Sequence, residues 1–273
     1  MSVSRIKSLI IVALVFLNTF FLVIILIDNN ADAREARQAI ESVCEIFRLN
    51  GITINPDSIK SAGDIHMMRT AREVELEADI AQLFLGEFEM TDQSVIYLYE
   101  NIETGTAEFY SAGDFEVRLH EGVITYTNDA RQKVQELLAS IQPEKFSFDI
   151  HYDETNETVN VISIYDNVKI FNSTIDFVFS GNSLRLVEGR YVTGIETMES
   201  GTKISNAGTA LLSFLSAIRN GDIDCIEVFS VEAGYLHSVV GSFGDGVIVP
   251  VWMVTTNEGR YAVDSASGEI RFI

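Results

Sequence analysis

Basic residues are scarce in this chain: 19 lysines and arginines stand against 40 acids, for a net charge of −21. That balance repels nucleic acid and anionic membrane surfaces, which excludes both as partners of the folded part. Proline is rarer still, at three in 273 residues, and no Ser/Pro-rich stretch marks a flexible linker. The two cysteines, Cys44 and Cys225, are too few for a disulfide-stapled scaffold, and no Cys/His cluster has zinc spacing. They are a pair that could bridge in an oxidising compartment or two buried free thiols, and spacing along the chain does not choose. No G-x-S-x-G elbow, H-E-x-x-H helix or P-loop is present. The expectation is therefore a protein that is not an enzyme and holds no cofactor or metal.

Apolar residues, in contrast, make up 47% of the chain, enough for a substantial core. From Leu9 to Ile27 the sequence is apolar apart from Asn18 and Thr19. At ~1.5 Å per residue a helix here is about 28 Å long, close to the ~30 Å hydrocarbon thickness of a bilayer. Arg5 and Lys7 precede the run, and Asp28 and Asp32 follow it. The positive-inside bias puts residues 1–8 in the cytoplasm, a transmembrane helix over 9–27, and the rest outside the membrane. Ala31-Asp32-Ala33 offers a competing reading as a signal-peptide cleavage site. The apolar run exceeds the ~7–15 residues of a usual signal core, which favours the uncleaved single-pass anchor.

Beyond the anchor, Ala36, Ile40, Val43 and Phe47 form one stripe of a juxtamembrane helix within 28–55, ended by Asn50-Gly51. One pattern then recurs three times, a helix followed by antiparallel strands. The first unit has a helix from Val74 to Phe84, with Val74, Ala78, Ala81 and Leu85 on one face. Its strands are predicted at Val95–Asn101, Thr106–Ser111 and Phe115–His120. In the second unit Asn128-Asp129 caps a helix carrying Val134, Leu137, Leu138 and Ile141, and Pro143 stops it. Strands are predicted at Phe146–Tyr152, Thr158–Tyr165, Thr174–Phe179 and Leu184–Val192. The third unit has a helix over Ser205–Arg219, then strands at Cys225–His237, Val247–Thr256, Arg260–Asp264 and Glu269–Ile273. The pattern predicts an α+β fold with helices layered on one sheet face. Residues 56–200 make an extracytoplasmic helix-plus-sheet region of two modules, and 201–273 a C-terminal module.

Two stretches carry a resemblance. Ser4-Arg5-Ile6-Lys7, the apolar run with Leu17-Asn18, and the helix ending at Gly51-Ile52 resemble the opening of the YycH/YycI family. Val249-Pro250-Val251-Trp252-Met253-Val254-Thr255-Thr256, with Tyr261-Ala262-Val263-Asp264 and Gly268-Glu269-Ile270, is similar to the closing hairpins of PepSY-like folds. Val3 stands where YycI-like proteins usually carry a tryptophan, which leaves YycI, YycH and a more distant relative open. The resemblance implies an accessory regulator of a membrane sensor histidine kinase in a two-component system controlling cell-wall metabolism. Its implied partners are that kinase and a second YycH/YycI-type regulator. The alternative is an extracytoplasmic PepSY-like module that binds a ligand or inhibits a protease without kinase contact.

Asn18 and Thr19 are the candidate partner-binding residues. An amide at mid-bilayer needs another helix, water or its own backbone, and an interhelical hydrogen bond contributes ~0.6–2 kcal/mol. Thr19 assists across the interface or bonds the carbonyl one turn back. Alternation puts Asp149, His151 and Asp153 on one face of a strand, a candidate metal or general-base constellation that reads first as a solvated face. His120-Glu121 lies at a strand end, and His66 and His237 sit among apolar neighbours as structural histidines. The acids of Glu73–Asp79 read as solvated helix surface, and Trp252 as core. Asn156-Glu157-Thr158 and Asn172-Ser173-Thr174 are glycosylation sequons, without meaning in a bacterium.

Overall fold

A computed structural model describes residues 37–198, 201–240 and 245–273. The proposed transmembrane helix, with Asn18 and Thr19, lies outside the described residues. Among the described residues no helix is long and apolar enough to cross a membrane.

The architecture is α+β and rich in sheet. Helix α1 covers residues 37–49, followed by β1 (Thr53–Ile54), β2 (Met68–Thr70), α2 (Val74–Leu85) and β3 (Glu89–Asp92). Next come β4 (Ile96–Asn101), β5 (Gly105–Tyr110), β6 (Asp114–Leu119), α3 (Ala130–Ile141) and β7 (Phe146–Asp153). Then follow β8 (Thr158–Tyr165), β9 (Val168–Ser180), β10 (Ser183–Arg190), β11 (Glu196–Thr197) and α4 (Ala207–Asn220). The chain closes with β12 (Glu227–Val239), β13 (Gly246–Thr256), β14 (Gly259–Asp264) and β15 (Ile270–Phe272).

The strands form two sheets. The first runs β3-β4-β5-β6-β10-β9-β8-β7, antiparallel throughout. The second is built on β13, flanked by β12 on one side and by β14 and β2 on the other. A single parallel rung, Tyr235 opposite Ile170, joins β12 to β9 and so joins the sheets.

Helix ends follow local chemistry. Asp129 caps α3 by accepting from the Arg131 amide at 2.8 Å, and Asn206 caps α4 through Thr209 at 2.8 Å. Gly51 after α1 and Gly221 after α4 take positive φ, which frees the last carbonyls for return hydrogen bonds.

The inward faces make two main cores. Helices α2 and α3 cover the first sheet, burying Ile80, Phe84, Val134 and Leu138 against Tyr99, Val117 and Phe177. Helices α1 and α4 cover the second, where Val43, Cys44, Phe47, Leu211 and Phe214 meet Val231, Trp252 and Val254. Helix α1 and the elements from α4 to β14 therefore share one core, although they lie far apart along the described residues.

Three sequence expectations are corrected. The buried face of α2 is Ile80, Ala81, Phe84 and Leu85, with Val74 and Ala78 only half-buried. Larger side chains bury more apolar area, so Ile80 and Phe84 set the helix rotation. Glu77 is not solvated surface: its side chain is 12% exposed and bonds Arg72 at 2.7 and 2.9 Å. The expected strand at Thr174–Phe179 extends back to Val168, because β8 and β12 offer pairing partners there.

Phe47 is fully buried on α1. Phe47→Ala should lower the unfolding free energy by about 3–5 kcal/mol, the range for phenylalanine truncation in a core. Denaturant unfolding checks this, and a loss below about 1 kcal/mol would mean that α1 is not packed as described.

Candidate functional site

The seam between the sheets concentrates the buried polar chemistry of the molecule. Past the Tyr235–Ile170 rung, Asn172 on β9 takes over the pairing with its side chain. Its amide donates to the His237 carbonyl at 2.8 Å and accepts from the His237 amide at 2.8 Å. The carboxamide thus stands in for a peptide group where the twisted strands diverge.

The imidazole of His237 is 7% exposed, and its Nε2 lies 3.1 Å from Thr70 Oγ1 at the end of β2. Gly246 makes the pair possible. A Cβ there would stand 2.6 Å from His237 Nε2 and 2.7 Å from Thr70 Oγ1. The other ring nitrogen, Nδ1, has no partner among the described residues, and the same holds for the buried Tyr191 hydroxyl. Both side chains line a cavity of about 30 Å³ together with Thr70, Gly113, Asp114 and Val192. Such a volume takes about two water molecules, which would complete both groups.

Two ion pairs flank the cavity. Arg190 grips Asp114 with two bonds of 2.9 Å. Arg72 holds Glu77, donates to the Phe109 carbonyl at 3.0 Å and lies over the Tyr97 ring at 4.5 Å. Burial, reinforced by the Arg190 charge and opposed by Asp114, lowers the His237 pKa to about 4. Burial raises Tyr191 strongly and Tyr99 to about 12. His237 with Thr70 has the spacing of a base and a hydroxyl, but among the described residues no acid bonds the imidazole, and the pair is buried. Its role here is to clamp β2 to β12.

The sequence-derived candidates fall elsewhere. Asp149 binds His151 Nε2 at 3.0 Å and Lys169 Nζ at 3.0 Å. Asp153 instead closes its own turn, accepting from the Thr155 amide at 2.9 Å and from Asn156 at 2.8 Å. The expected trio thus reduces to a pair joined by a lysine from β9. Among the described residues no three His, Cys, Asp or Glu side chains gather as metal ligands. His120 bonds the Glu103 carbonyl at 3.1 Å, and Glu121 lies 3.8 Å from Arg185. His66 is not enclosed by apolar neighbours: it is 44% exposed and lies 3.1 Å from Asp64, which also binds Lys203. Trp252 is core, with its indole donating to the Ser205 carbonyl at 3.0 Å. Cys44 and Cys225 are both free and buried, and burial pushes both thiols up.

The His237–Thr70 pair and the Asn172 bridge escape sequence reading. Their partners are 167 and 65 positions apart, and no local spacing encodes either contact.

His237 is depressed from its ordinary 6.5 to about 4 in the folded state. The unfolded chain therefore binds the extra proton between those values. Its contribution to stability is complete above pH ~6.5 and is lost as pH falls toward 4, at most about 3 kcal/mol. His237→Gln should remove that slope. Denaturant unfolding at pH 7 and pH 4.5 measures the difference between variant and parent, and equal slopes would contradict the assignment.

No family model and no curated protein matches this chain. Among solved structures it is similar to an uncharacterized protein from Eubacterium rectale. The identity is 12% and the TM-score 0.48, over 81% of this chain and 92% of that one. It is also similar to the YpeB C-terminal domain of Bacillus megaterium, at 10% identity and a TM-score of 0.34, over 75% of this chain and 99% of that one.

Proposed function

We propose that this chain is a membrane-anchored accessory regulator of a sensor histidine kinase. Residues 9–27 contact the kinase through Asn18 and Thr19, and the extracytoplasmic body contacts the kinase or a second regulator of the YycH/YycI type. The resemblance of residues 4–52 to that family motivates the reading. The observation that carries it is the packing of α1. Val43, Cys44 and Phe47, a short way beyond the apolar run, are buried against α4 and the second sheet. In this reading the packed α1 carries a shift of the anchor into the folded body. A contact that favours one signalling state by about 1.4 kcal/mol changes the kinase population tenfold, and one equal in both states changes nothing.

A second reading has its own observation in favour. Between α1, residues 60–64 and the start of α4 lies an open groove of about 800 Å³, floored by Ile40, Ala62, Ile204 and Trp252. A ligand-binding module without kinase contact would use such a groove. Ligand-dependent stabilisation of the full chain without kinase recovery would favour it.

The deciding experiment is affinity purification of the detergent-solubilised full chain from its own membrane, beside an Asn18→Leu variant. The parent should recover a histidine kinase, with about tenfold less in the variant if a buried interhelical hydrogen bond is lost. Recovery of no kinase by either stably expressed bait would sink the regulatory reading.

A further inference from the structure

Strand β7 is an edge. Among the described residues it pairs with β8 alone, over all eight positions from Phe146 to Asp153. The other edges are shorter: β3 has four residues with an acid at each end, β15 has three, and β1 and β11 have two each. Proline, bulges, very short length and charged side chains are the usual protections of an exposed edge; β7 has none of the first three, and its acids are Asp149 and Asp153 beside His151.

The outward-facing groups of this edge can be identified. The Phe146 amide donates to Pro143, and its carbonyl accepts from Gln142. Phe146 therefore points away from β8. By alternation Phe148, Ile150 and Tyr152 also turn their N–H and C=O outward, free of the ladder. Their side chains lie on the helix-covered face, where Phe148 and Ile150 are half-buried and Tyr152 is 40% exposed. Asp149 and His151 alternate on the open face.

We infer that β7 is a homodimer edge, pairing antiparallel with β7 of a second copy about a two-fold axis at Ile150. In that register Ile150 faces its own copy and Phe148 faces Tyr152, so all three outward residues form hydrogen-bonded pairs. Asp149 of each copy falls opposite His151 of the other, giving two acid–imidazole pairs on the open face. Shifting by two residues toward Phe148 puts Phe146, whose outward groups are already engaged, opposite Ile150. Shifting the other way runs β7 into the turn after Asp153. Centring on Asp149 would oppose two carboxylates and keep only the two Phe148–Ile150 pairs, and centring on His151 would set Asp149 opposite Asp153 and keep only the two Ile150–Tyr152 pairs. The self-complementary register is thus also the one with the most bonds. The axis is perpendicular to the sheet, so the helices of both copies stay on one face and the two first sheets become continuous. Repulsion between two acidic copies opposes association, and ~0.15 M salt, with a screening length of ~8 Å, relieves it.

Sedimentation velocity of the full chain in density-matched detergent at that salt tests the pairing. The parent should sediment as a dimer. His151→Lys puts a cation opposite Asp149 and should keep the dimer. His151→Asp puts a second carboxylate there and should raise the dimer Kd about tenfold or more, from two pairs turned from attraction to repulsion. The His151 side chain is 64% exposed, so neither change threatens folding. Ile150→Pro removes the central outward N–H and should give monomer with an unchanged far-UV circular dichroism spectrum. A monomeric parent, a dimer indifferent to both His151→Asp and Ile150→Pro, or equal loss with lysine and aspartate at 151 would each overturn the proposal.

Discussion

The two sheets meet at one backbone rung, and the structure depends on how the chain continues past it. Strands β9 and β12 are parallel where they touch, at Ile170 and Tyr235, and then part because each sheet carries its own right-handed twist. Backbone groups left buried at the parting would each cost about 1–3 kcal/mol if unpaired. Asn172 removes that cost at His237 by presenting both a donor and an acceptor from its side chain. The imidazole then ties β2 to the same seam through Thr70, which is why Gly246 has no side chain to spare.

This seam lets one long strand serve two cores. Strand β9 spans thirteen residues, beginning beside β12 and continuing between β8 and β10. The core of the second sheet is closed by α1 from one end of the described chain and α4 from near the other. Segments far apart in sequence therefore fold as one layer, with α1 packed in the same core as β12 to β14.

The open face of the first sheet carries a row of acids. Asp176, Glu188, Glu116 and Glu108 stand directly opposite one another across β9, β10, β6 and β5. Like charges in that position destabilise a sheet. Three of the four have a local partner: Asn160 for Asp176 at 2.7 Å, Arg118 for Glu116, and the Tyr110 hydroxyl for Glu108 at 2.6 Å. The edge beyond this row, at β7, replaces the acids with Asp149 and His151, which complement each other.

Local periodicity and turn chemistry determined the elements by themselves. The helices α1, α3 and α4, the caps at Asp129 and Gly51, and most strands follow from apolar spacing and from residues that favour one backbone conformation. These signals act over a few residues, so they survive without knowledge of partners. Strand β3, with the sequence Glu-Met-Thr-Asp, and the first part of β9 carry no such signal and exist because a neighbouring strand pairs with them. The rotation of α2, the burial of Glu77 against Arg72, and the His237–Thr70 clamp were likewise decided by tertiary structure. Each depends on which surfaces come together across tens to hundreds of residues, where burial energy and hydrogen-bond satisfaction outweigh any local preference.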